Sequence, residues 1–551
     1  MKLSCKYIFL FALSAVLSPA VKTVAQAPPV LWQKTIGGSD TDILSGVQTL
    51  SGGGVMLSGF SKSGAGISKK DTSRGGFDYW LVKLDETGRI AWEKTYGGAL
   101  DDTAAQIIRT ADGGYLLGGT SLSPRSGDKL FPNWGFSPDY WVLKLDKNGE
   151  QLWQRNLGGS FSERLTGLSE NSYGYAVSGH SYSDISGDKV TDNTGSENRA
   201  DYWIAFLDNT GKTKKTLTYG TVGPELSCCI IATDFGMIIG GSSYSRSQPG
   251  QKTRDPYGGA DYWLVRTDLS GTKVYDSTMG GTGSDFMTCL TASHSGGFVI
   301  GGSSESPLSG VKTDLCRGVY DYWIIKMNVD GSIKWQKTLG GKGGDYMTSI
   351  HETYDGGFIA GGYSNSDAGG EKSENSKGGY DYWVVKLDSL GNKQWDKTFG
   401  GSGDDKLVSV EEYSQGEYIL CGTSNSPVSG DKDSATIGGA SNPDYWIIRL
   451  GKSVDTTTPP VDTSSKGNYV LNILSNPTIG GNLNIQFSST DNEMTPFVIH
   501  SYDGKKVISV SYDATVNMQN KTIAIAKLPK GVYYITMYTK HNKMTKIFIK
   551  Q

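Results

Sequence analysis

The chain repeats one tripeptide at a nearly constant interval, and this repeat limits the folds open to it more than any other feature. Asp-Tyr-Trp occurs seven times in the 551 residues, and successive copies are 61, 62, 60, 60, 60 and 63 residues apart. A period of this kind indicates that one supersecondary unit recurs along the chain. The copies are Asp78-Tyr79-Trp80, Asp139-Tyr140-Trp141, Asp201-Tyr202-Trp203, Asp261-Tyr262-Trp263, Asp321-Tyr322-Trp323, Asp381-Tyr382-Trp383 and Asp444-Tyr445-Trp446.

Each repeat contains four short segments in which apolar and polar residues alternate. In the unit at residues 42–104 these are ILSGVQTL (43–50), VMLSGF (55–60), DYWLVKL (78–84) and RIAWEKTY (89–96). Alternation with period two is typical of β-strands, and the 75 glycines of the chain disfavour helices, in which each Gly costs about 1 kcal/mol. Four antiparallel strands per repeat match one blade of a β-propeller.

The two ends of the repeat region complete each other. The first fourth-strand segment, LWQKTIG (31–37), has no Asp-Tyr-Trp strand before it, and the last such strand, DYWIIRL (444–450), has no fourth strand after it. A ring in which these two pair leaves no open sheet edge, whereas an open solenoid needs capping units. We therefore predict an all-β fold, with a seven-bladed β-propeller at residues 28–450 followed by a small C-terminal β-sandwich.

The amino-acid composition limits the classes of partner that the protein is expected to bind. Lys and Arg number 53 against 56 Asp and Glu, a net charge of −3, so nothing favours nucleic acid as a partner. Twelve of the 13 tryptophans occupy repeat positions, which favours packing between blades over a ligand role. The exception is Trp134.

One acidic residue recurs after the Gly-containing turn that opens each unit. Because it lies between the outer strand of one unit and the inner strand of the next, seven carboxylates are predicted to ring the channel mouth. Their repetition favours a structural role, in which each carboxylate accepts hydrogen bonds from its own turn. Oxygen-only clusters also suit Ca²⁺, and no other cofactor is predicted. The acids are Asp42, Asp102, Glu163, Glu225, Asp285, Asp345 and Asp405.

The long loops between the second and third strands are polar and are predicted to lie on the same face as these acids. Binding surfaces tend to lie on such loops. The second unit carries the insert LFPNWGFSP (130–138), in which Trp134 stands between Phe131 and Phe136. An exposed Trp of this kind stacks on a sugar ring or anchors a partner, and the alternative is a local cap over the blade.

Catalytic signatures are missing from the sequence. The five histidines have no metal-ligand spacing, and no Gly-x-Ser-x-Gly segment or phosphate-binding loop occurs. Paired acids such as Asp101-Asp102 and Asp404-Asp405 do not by themselves define a glycosidase site. We predict no catalytic residue, and the sequence favours a protein that is not an enzyme without excluding one.

The first 27 residues have the pattern of a secretory signal peptide. Lys2 and Lys6 precede an apolar run at residues 7–17, and Ala25-Gln26-Ala27 offers a cleavage site. No later stretch reaches the roughly 18 apolar residues that a membrane span needs, so the mature chain is predicted to span no membrane. Cys5 lies in the predicted signal peptide. The five remaining cysteines are scattered along the chain, and they match neither a disulfide framework nor a zinc site.

The repeats end near residue 450, where the composition changes. Residues 451–467 are rich in Thr, Ser and Pro and are predicted to be an extended linker. Residues 468–551 carry a different set of alternating segments, which predicts a small β-sandwich. These segments are LNILSNPTIGGNLNIQF (471–487), PFVIHSYDGKKVISV (496–510), KTIAIAKLPKGVYYITMY (521–538) and KMTKIFIKQ (543–551).

These C-terminal residues resemble the sorting domain of type IX secretion substrates. Two positions depart from the family pattern, because Ser475 stands where Pro is usual and His500-Ser501 interrupts a strand. The resemblance implies export to the periplasm, transfer across the outer membrane by the type IX machinery acting on residues 468–551, removal of this domain, and release or attachment at the cell surface. The matching residues include Asn476, Pro477, Asp503, Gly504, Leu528, Pro529, Gly531, Lys546 and Lys550.

The Asp-Tyr-Trp units resemble the Gly-rich propeller repeats of secreted Bacteroidetes proteins. This resemblance covers residues 28–450 and implies a fold, not an activity. The Asp-box of sialidases is absent, so sialidase activity is not implied.

We therefore expect a secreted or cell-surface propeller that binds a polysaccharide or an extracellular protein through its loop-rich face. The alternatives are a secreted propeller enzyme acting on glycans and a structural surface-layer protein. Acids that converge in one deep pocket favour the enzyme, whereas acids spread evenly round the ring favour binding or structure.

Overall fold

The computed structural model describes residues 26–50, 53–194, 199–233, 236–452, 470–474, 478, 481–488, 494–501, 506–513, 518–538 and 543–550. The chain divides into two compact units, Met1–Asp455 and Thr456–Gln551. The predicted signal peptide up to residue 25 and the predicted linker from residue 453 lie outside the described residues. Within these ranges no helix is long and apolar enough to cross a membrane.

The first unit is built from 28 β-strands in seven four-stranded antiparallel sheets, which are the blades. The strands are β1 (Val30–Ile36), β2 (Asp42–Thr49), β3 (Val55–Ser61), β4 (Asp78–Leu84), β5 (Ile90–Tyr96), β6 (Asp102–Arg109), β7 (Tyr115–Ser121), β8 (Asp139–Leu145), β9 (Gln151–Leu157), β10 (Glu163–Asn171), β11 (Gly174–Ser181), β12 (Asp201–Leu207), β13 (Thr213–Tyr219), β14 (Glu225–Thr233), β15 (Gly236–Ser243), β16 (Asp261–Thr267), β17 (Lys273–Met279), β18 (Asp285–Ala292), β19 (Phe298–Ser304), β20 (Asp321–Met327), β21 (Ile333–Leu339), β22 (Asp345–Glu352), β23 (Phe358–Ser364), β24 (Asp381–Leu387), β25 (Lys393–Phe399), β26 (Asp405–Ser414), β27 (Glu417–Ser424) and β28 (Asp444–Leu450).

The ring closes through its N-terminal strand, as predicted. Blades one to six are β2–β5, β6–β9, β10–β13, β14–β17, β18–β21 and β22–β25, and blade seven has the order β1-β28-β27-β26. Strand β1 pairs antiparallel with β28, with Thr35 opposite Trp446. The first strands of consecutive blades pack side by side round the ring, and β26 of blade seven packs against β2 of blade one. The predicted all-β, seven-bladed fold is confirmed.

The Asp-Tyr-Trp triplet is the main contact between blades. Each Tyr hydroxyl donates to the carbonyl of the Trp in the next blade, as Tyr322 does to Trp383 at 3.0 Å. Their ring centroids lie 4.7 Å apart. The series ends where it began, because Tyr445 of blade seven donates to the Trp80 carbonyl of blade one. All seven of these Tyr–Trp pairs are fully buried, which explains why the sequence repeats them.

The fourth strands add a second contact between blades on the outside of the ring. The Trp92 ring lies against the hairpin turn at Gly149, where a Cβ would stand 2.7 Å from the indole and φ is +81°. Blade seven has no hairpin after β28, and there the N-terminal segment at residues 26–30 lines a cavity together with Trp395. The chain start thus occupies part of the space that a turn fills elsewhere.

The described residues of the second unit form seven further strands in two sheets. One sheet has the order β29-β30-β33 and the other β32-β31-β34-β35, and their facing side chains form one apolar core. This is the predicted β-sandwich. The strands are β29 (Val470–Ile473), β30 (Asn482–Ser488), β31 (Met494–Ser501), β32 (Lys506–Asp513), β33 (Gln519–Ala524), β34 (Gly531–Tyr538) and β35 (Lys543–Lys550).

The two lysines of the predicted sorting signal have different surroundings. Lys550 is 8% exposed, and its Nζ donates to the carbonyls of Ile525 at 2.8 Å and Ala526 at 2.9 Å. Lys546 is exposed. Leu528 packs beside the core, and Tyr533 donates to the Pro529 carbonyl at 2.8 Å. Four other residues of this signal lie outside the described residues: Asn476, Pro477, Asp503 and Gly504.

Candidate functional site

The seven repeated acids lie at the starts of the first strands, but their side chains are buried between blades and do not line the channel mouth. Asp102 shows the common pattern, because it accepts hydrogen bonds from the Gly98 backbone N–H at 2.7 Å and the Ser123 hydroxyl at 2.8 Å. The acids that share its complete burial are Asp42, Glu163, Glu225, Asp285, Asp345 and Asp405.

Each of these acids shares a junction with the Asp of the Asp-Tyr-Trp triplet in the preceding blade. A Cβ on Gly280 would stand 1.9 Å from Asp261 Oδ1 and 2.9 Å from Asp285 Oδ2, so both carboxyls close on the same glycine. One oxygen of each triplet Asp is buried without a hydrogen-bond donor among the described residues. Burial and the charge of the neighbouring acid raise the pKa of Asp261 to about 7. A proton on Asp261 accounts for both observations.

A buried lysine from each long loop supplies the positive charge beside these pairs. Lys312 Nζ donates to the Ser304 hydroxyl at 2.6 Å and the Ser306 carbonyl at 3.1 Å. Burial lowers the pKa of Lys312, and the negative charges of Asp285 and Asp321 offset part of this decrease. A lysine near each pair of acids reduces the net negative charge of the junction, which lowers the cost of burying ionised groups. The equivalent lysines are Lys69, Lys129, Lys189, Lys252, Lys372 and Lys432.

These junctions are structural features, spread evenly round the ring and closed to solvent. In the part of the chain that the structure describes, no group of three or more His, Cys, Asp or Glu side chains is arranged to hold a metal ion. Two of the triplet acids also lie near an arginine, with Arg74 3.7 Å from Asp78 and Arg317 3.5 Å from Asp321. The loops that the sequence suggests as binding surfaces are therefore anchored at their Ser and Lys residues, and only their tips remain for contact.

The insert at residues 130–138 forms an exposed aromatic surface on the second blade. Phe131 is 43%, Trp134 48% and Phe136 fully exposed. One face of the Trp134 indole lies against Gly187 of the third blade, where a Cβ would stand 2.8 Å from the ring. Its Nε1 donates to Asp188 Oδ2 at 2.8 Å. Trp134 is therefore held in a fixed orientation with its other face towards solvent.

A cleft opens beside the exposed aromatic surface of the insert. It has a volume of about 400 Å³ and is lined by Phe131, Trp134, Arg155, Lys212 and Asp188, among others. The Asp188 carboxylate is engaged by the indole and by the Gly158 N–H, whereas two cationic side chains reach the same cleft. We call this region the insert cleft. Its charge favours an anionic ligand.

The backbone position of Trp134 recurs in other blades with other residue types. Its N–H donates to Asp139 at 2.7 Å, just as the N–H of Arg74 donates to Asp78. The side chain in this position bridges to the next blade, through Arg74–Asp128 at 3.1 Å or Arg317–Glu371 at 2.9 Å. Trp134 thus both bridges two blades and offers an exposed ring.

An aromatic cluster that the sequence did not indicate lies on the face where first strands begin and second strands end, which we call the mouth face. Its rings belong to blades four to six, and each ring centroid lies 5.3–6.4 Å from that of the next. The available signal was weak, because these residues stand beside repeated ones without repeating. We name this cluster the aromatic arc: Tyr244, Phe286, Tyr320, Tyr346, Tyr363 and Tyr380.

Two other reactive residue types are enclosed. His180 on β11 is largely buried, and burial, followed by the charge of Arg164, lowers its pKa to about 4. Cys228 and Cys229 are free and partly buried, with their sulfur atoms 3.0 Å apart. Neither lies with other groups in a constellation that supports a reaction.

Solved structures similar to the chain have low identity and low structural overlap. A fungal alcohol oxidase of the AA5 family in complex with copper is 10% identical, with a TM-score of 0.41, and the match covers 96% of this chain and 100% of that one. An apocarotenoid oxygenase of Synechocystis is 9% identical, with a TM-score of 0.33 and coverages of 91% and 97%. These values are too low to support any inference about activity. No curated protein matches the sequence.

The C-terminal unit, in contrast, matches a family. Residues 472–551 match the family model described as a secretion system C-terminal sorting domain. This match covers nearly all of the predicted sorting domain and reaches the last residue of the sequence. The protein is therefore a type IX secretion substrate, in which a C-terminal sorting domain follows a seven-bladed propeller.

Proposed function

We propose that the propeller is a non-catalytic binding module for an acidic polysaccharide, displayed at the cell surface or released after type IX secretion. The observation that carries this proposal is the insert cleft, where a fixed and exposed Trp134 stands beside Arg155 and Lys212. An aromatic face stacks on the C–H face of a sugar ring, and the cations pair with its carboxylates or sulfates.

The even distribution of the acids supports binding over catalysis. A glycan hydrolase of the usual kind needs two carboxyl groups that flank one bond in an open site. Here the repeated acids are buried in pairs at every junction, and none of their side chains reaches solvent. The remaining alternative, a purely structural surface-layer role, does not account for the exposed Phe131, Trp134 and Phe136 side chains in the loop of blade two.

The test is affinity electrophoresis of the full exported chain in gels that contain polygalacturonate. Trp134→Thr is the informative variant, because Thr194 holds the same backbone position in blade three and the change removes the ring without adding a charge. We expect retardation of the wild type, loss of retardation in Trp134→Thr, and similar melting temperatures for both. Retardation that persists in Trp134→Thr would exclude the insert cleft, and cleavage of the polysaccharide would favour the enzyme.

A further inference from the structure

We propose that the aromatic arc is a second binding site, which takes the pyranose rings of an uncharged polysaccharide. It adds a site and a ligand class to the function proposed above. It lies on blades four to six, whereas the insert cleft lies on blades two and three.

The arc is continuous across the blade boundaries. Tyr244 of blade four lies 6.4 Å from Phe286 of blade five, measured between ring centroids. Tyr320 of blade five lies 5.4 Å from Tyr346 of blade six. Lys406 of blade seven ends the series, with its Nζ 5.7 Å from the Tyr363 ring centroid and 5.5 Å from that of Tyr380. The result is an extended surface rather than one pocket, which suits a chain-like ligand.

Folding does not require aromatic residues at these positions. Tyr346 follows the buried acid on the first strand, and the equivalent residue is Thr103 in blade two and Arg164 in blade three. Tyr363 lies opposite Tyr346 in the sheet, and Thr120 takes its place in blade two. Blades two, three and six nevertheless each form a four-stranded sheet with the same strand order. A residue needed only for packing would repeat in every blade, as the Asp-Tyr-Trp triplet does.

The chemistry of the arc favours a neutral sugar chain over a protein. The cluster consists of five tyrosines and one phenylalanine, without Leu, Ile or Val. It therefore offers a ligand both flat ring faces and hydroxyl groups. The side-chain oxygens of Asn365 and Asn425 accept from backbone N–H groups at 2.7 and 2.6 Å, which fixes both amides and directs their NH₂ groups as donors.

The charges at the arc do not favour an anion. Lys406 forms an ion pair with Asp404 at 3.7 Å, and Glu305, which accepts from the neutral Ser284 N–H at 2.8 Å, adds a negative charge. An anionic polymer therefore gains little attraction here, in contrast to the insert cleft. The expected ligand presents alternating C–H faces and hydroxyl groups without charge.

The experiment is affinity electrophoresis of the full exported chain in gels that contain xylan, mannan, β-1,3-glucan or starch, with polygalacturonate as the acidic reference. The test variant is Tyr346→Ala/Tyr380→Ala, and the matched control is Arg164→Ala, which changes the position equivalent to Tyr346 in blade three. We expect at least one neutral polymer to retard the wild type and Arg164→Ala. We expect the double variant to lose at least tenfold in affinity for that polymer.

The two proposals fail separately. The arc proposal is overturned if no neutral polymer retards the wild type, or if the double variant binds as tightly as the wild type. It is also overturned if the double variant loses capture of an extracellular protein but not of any glycan. Loss of polygalacturonate binding in Trp134→Thr, with neutral binding retained, supports two independent sites. A Tyr346→Phe/Tyr380→Phe variant keeps the rings and should keep most of the affinity, which separates stacking from misfolding.

Discussion

The inter-blade junctions and the mouth face are built from adjacent residues of the same strands, yet one repeats and the other varies. Asp345 at the junction is buried and has a counterpart in all seven blades. Tyr346, the next residue, lies on the mouth face and is replaced by Thr103, Arg164 or Lys406 elsewhere. Of two neighbouring positions in one strand, the first therefore helps to close the ring and the second contacts solvent.

This difference shows how a repeat protein separates stability from recognition. A closed ring requires that each blade meet its neighbour in the same way, so the junction residues must be alike. The mouth face has no such requirement, and differences between blades accumulate there. Departures from the repeat are thus the best guide to function in this fold.

Removing the strand that closes the ring should have the largest effect. Deletion of residues 28–36 strips blade seven of β1 and exposes the edge of β28. We expect the melting temperature to fall by roughly 10 °C or more relative to the chain lacking residues 1–27 only. The check is thermal unfolding followed by circular dichroism, and an unchanged melting temperature would contradict closure through β1.

Raising the pH should have the next largest effect, because it weakens the junctions between blades. Burial, and then the charge of the paired acid, raises the pKa of Asp78 to about 6 and that of Asp261 to about 7, above the unfolded value of about 4. The folded state therefore binds more protons between these values, so its stability is greatest below pH 4 on this account and falls as pH rises through about 7.

The buried lysines should reverse this trend above neutrality. Burial lowers the pKa of Lys129 and Lys432 to about 8, below the unfolded value of about 10.4. Between these values the unfolded state binds more protons, so stability rises with pH. Chemical denaturation from pH 5 to 10 should show a minimum in the free energy of unfolding near pH 8, and a steady increase from pH 5 to 8 would contradict the raised pKa values of the triplet Asp residues.

Removing one junction cation should have a smaller but clear effect. Lys189→Met leaves the charge of Glu163 and Asp201 uncompensated in a buried site, which costs about 3 kcal/mol. Lys334→Met, at an exposed position on β21, is the control and should stay within about 0.5 kcal/mol of the wild type. Urea unfolding at pH 7 measures both. Equal stabilities of the two variants would show that the buried lysine is not needed.

Changing the mouth face should have the smallest effect on stability. Tyr363→Thr introduces the residue that Thr120 and Thr423 provide at the same position in blades two and seven. We expect a loss of no more than about 1 kcal/mol in the free energy of unfolding. Tyr322→Thr in blade five, which removes a buried ring and its bond to Trp383, should cost several times more. If both cost the same, the distinction between junction and mouth face is wrong.

The sequence predicted the elements that depend on repetition. The strand order, the blade number and the pairing of β1 with β28 all follow from spacing and from the unmatched ends. The packing of the Trp rings between blades was predicted for the same reason, because a position that recurs with a large apolar residue is a packing position.

The sequence predicted the candidate sites less well, since it does not show which neighbours meet in space. The repeated acids were expected at an open mouth, but the Asp-Tyr-Trp carboxyls approach them from the preceding blade and enclose them. Lys312 belongs to a loop that its polarity suggested for binding, yet it is buried. Trp134 looked unique, but its backbone position is shared with Arg74 and Arg317, which differ in residue type.

By itself the sequence determined the ring and its export, because both are encoded by local patterns: a period in the strands and a motif set at the C-terminus. Only the tertiary structure decided where charge is buried and where aromatic rings form a surface. The physical reason is that the pairing of Asp261 with Asp285, and of Tyr320 with Tyr346, joins residues of different blades, which meet only when the ring closes.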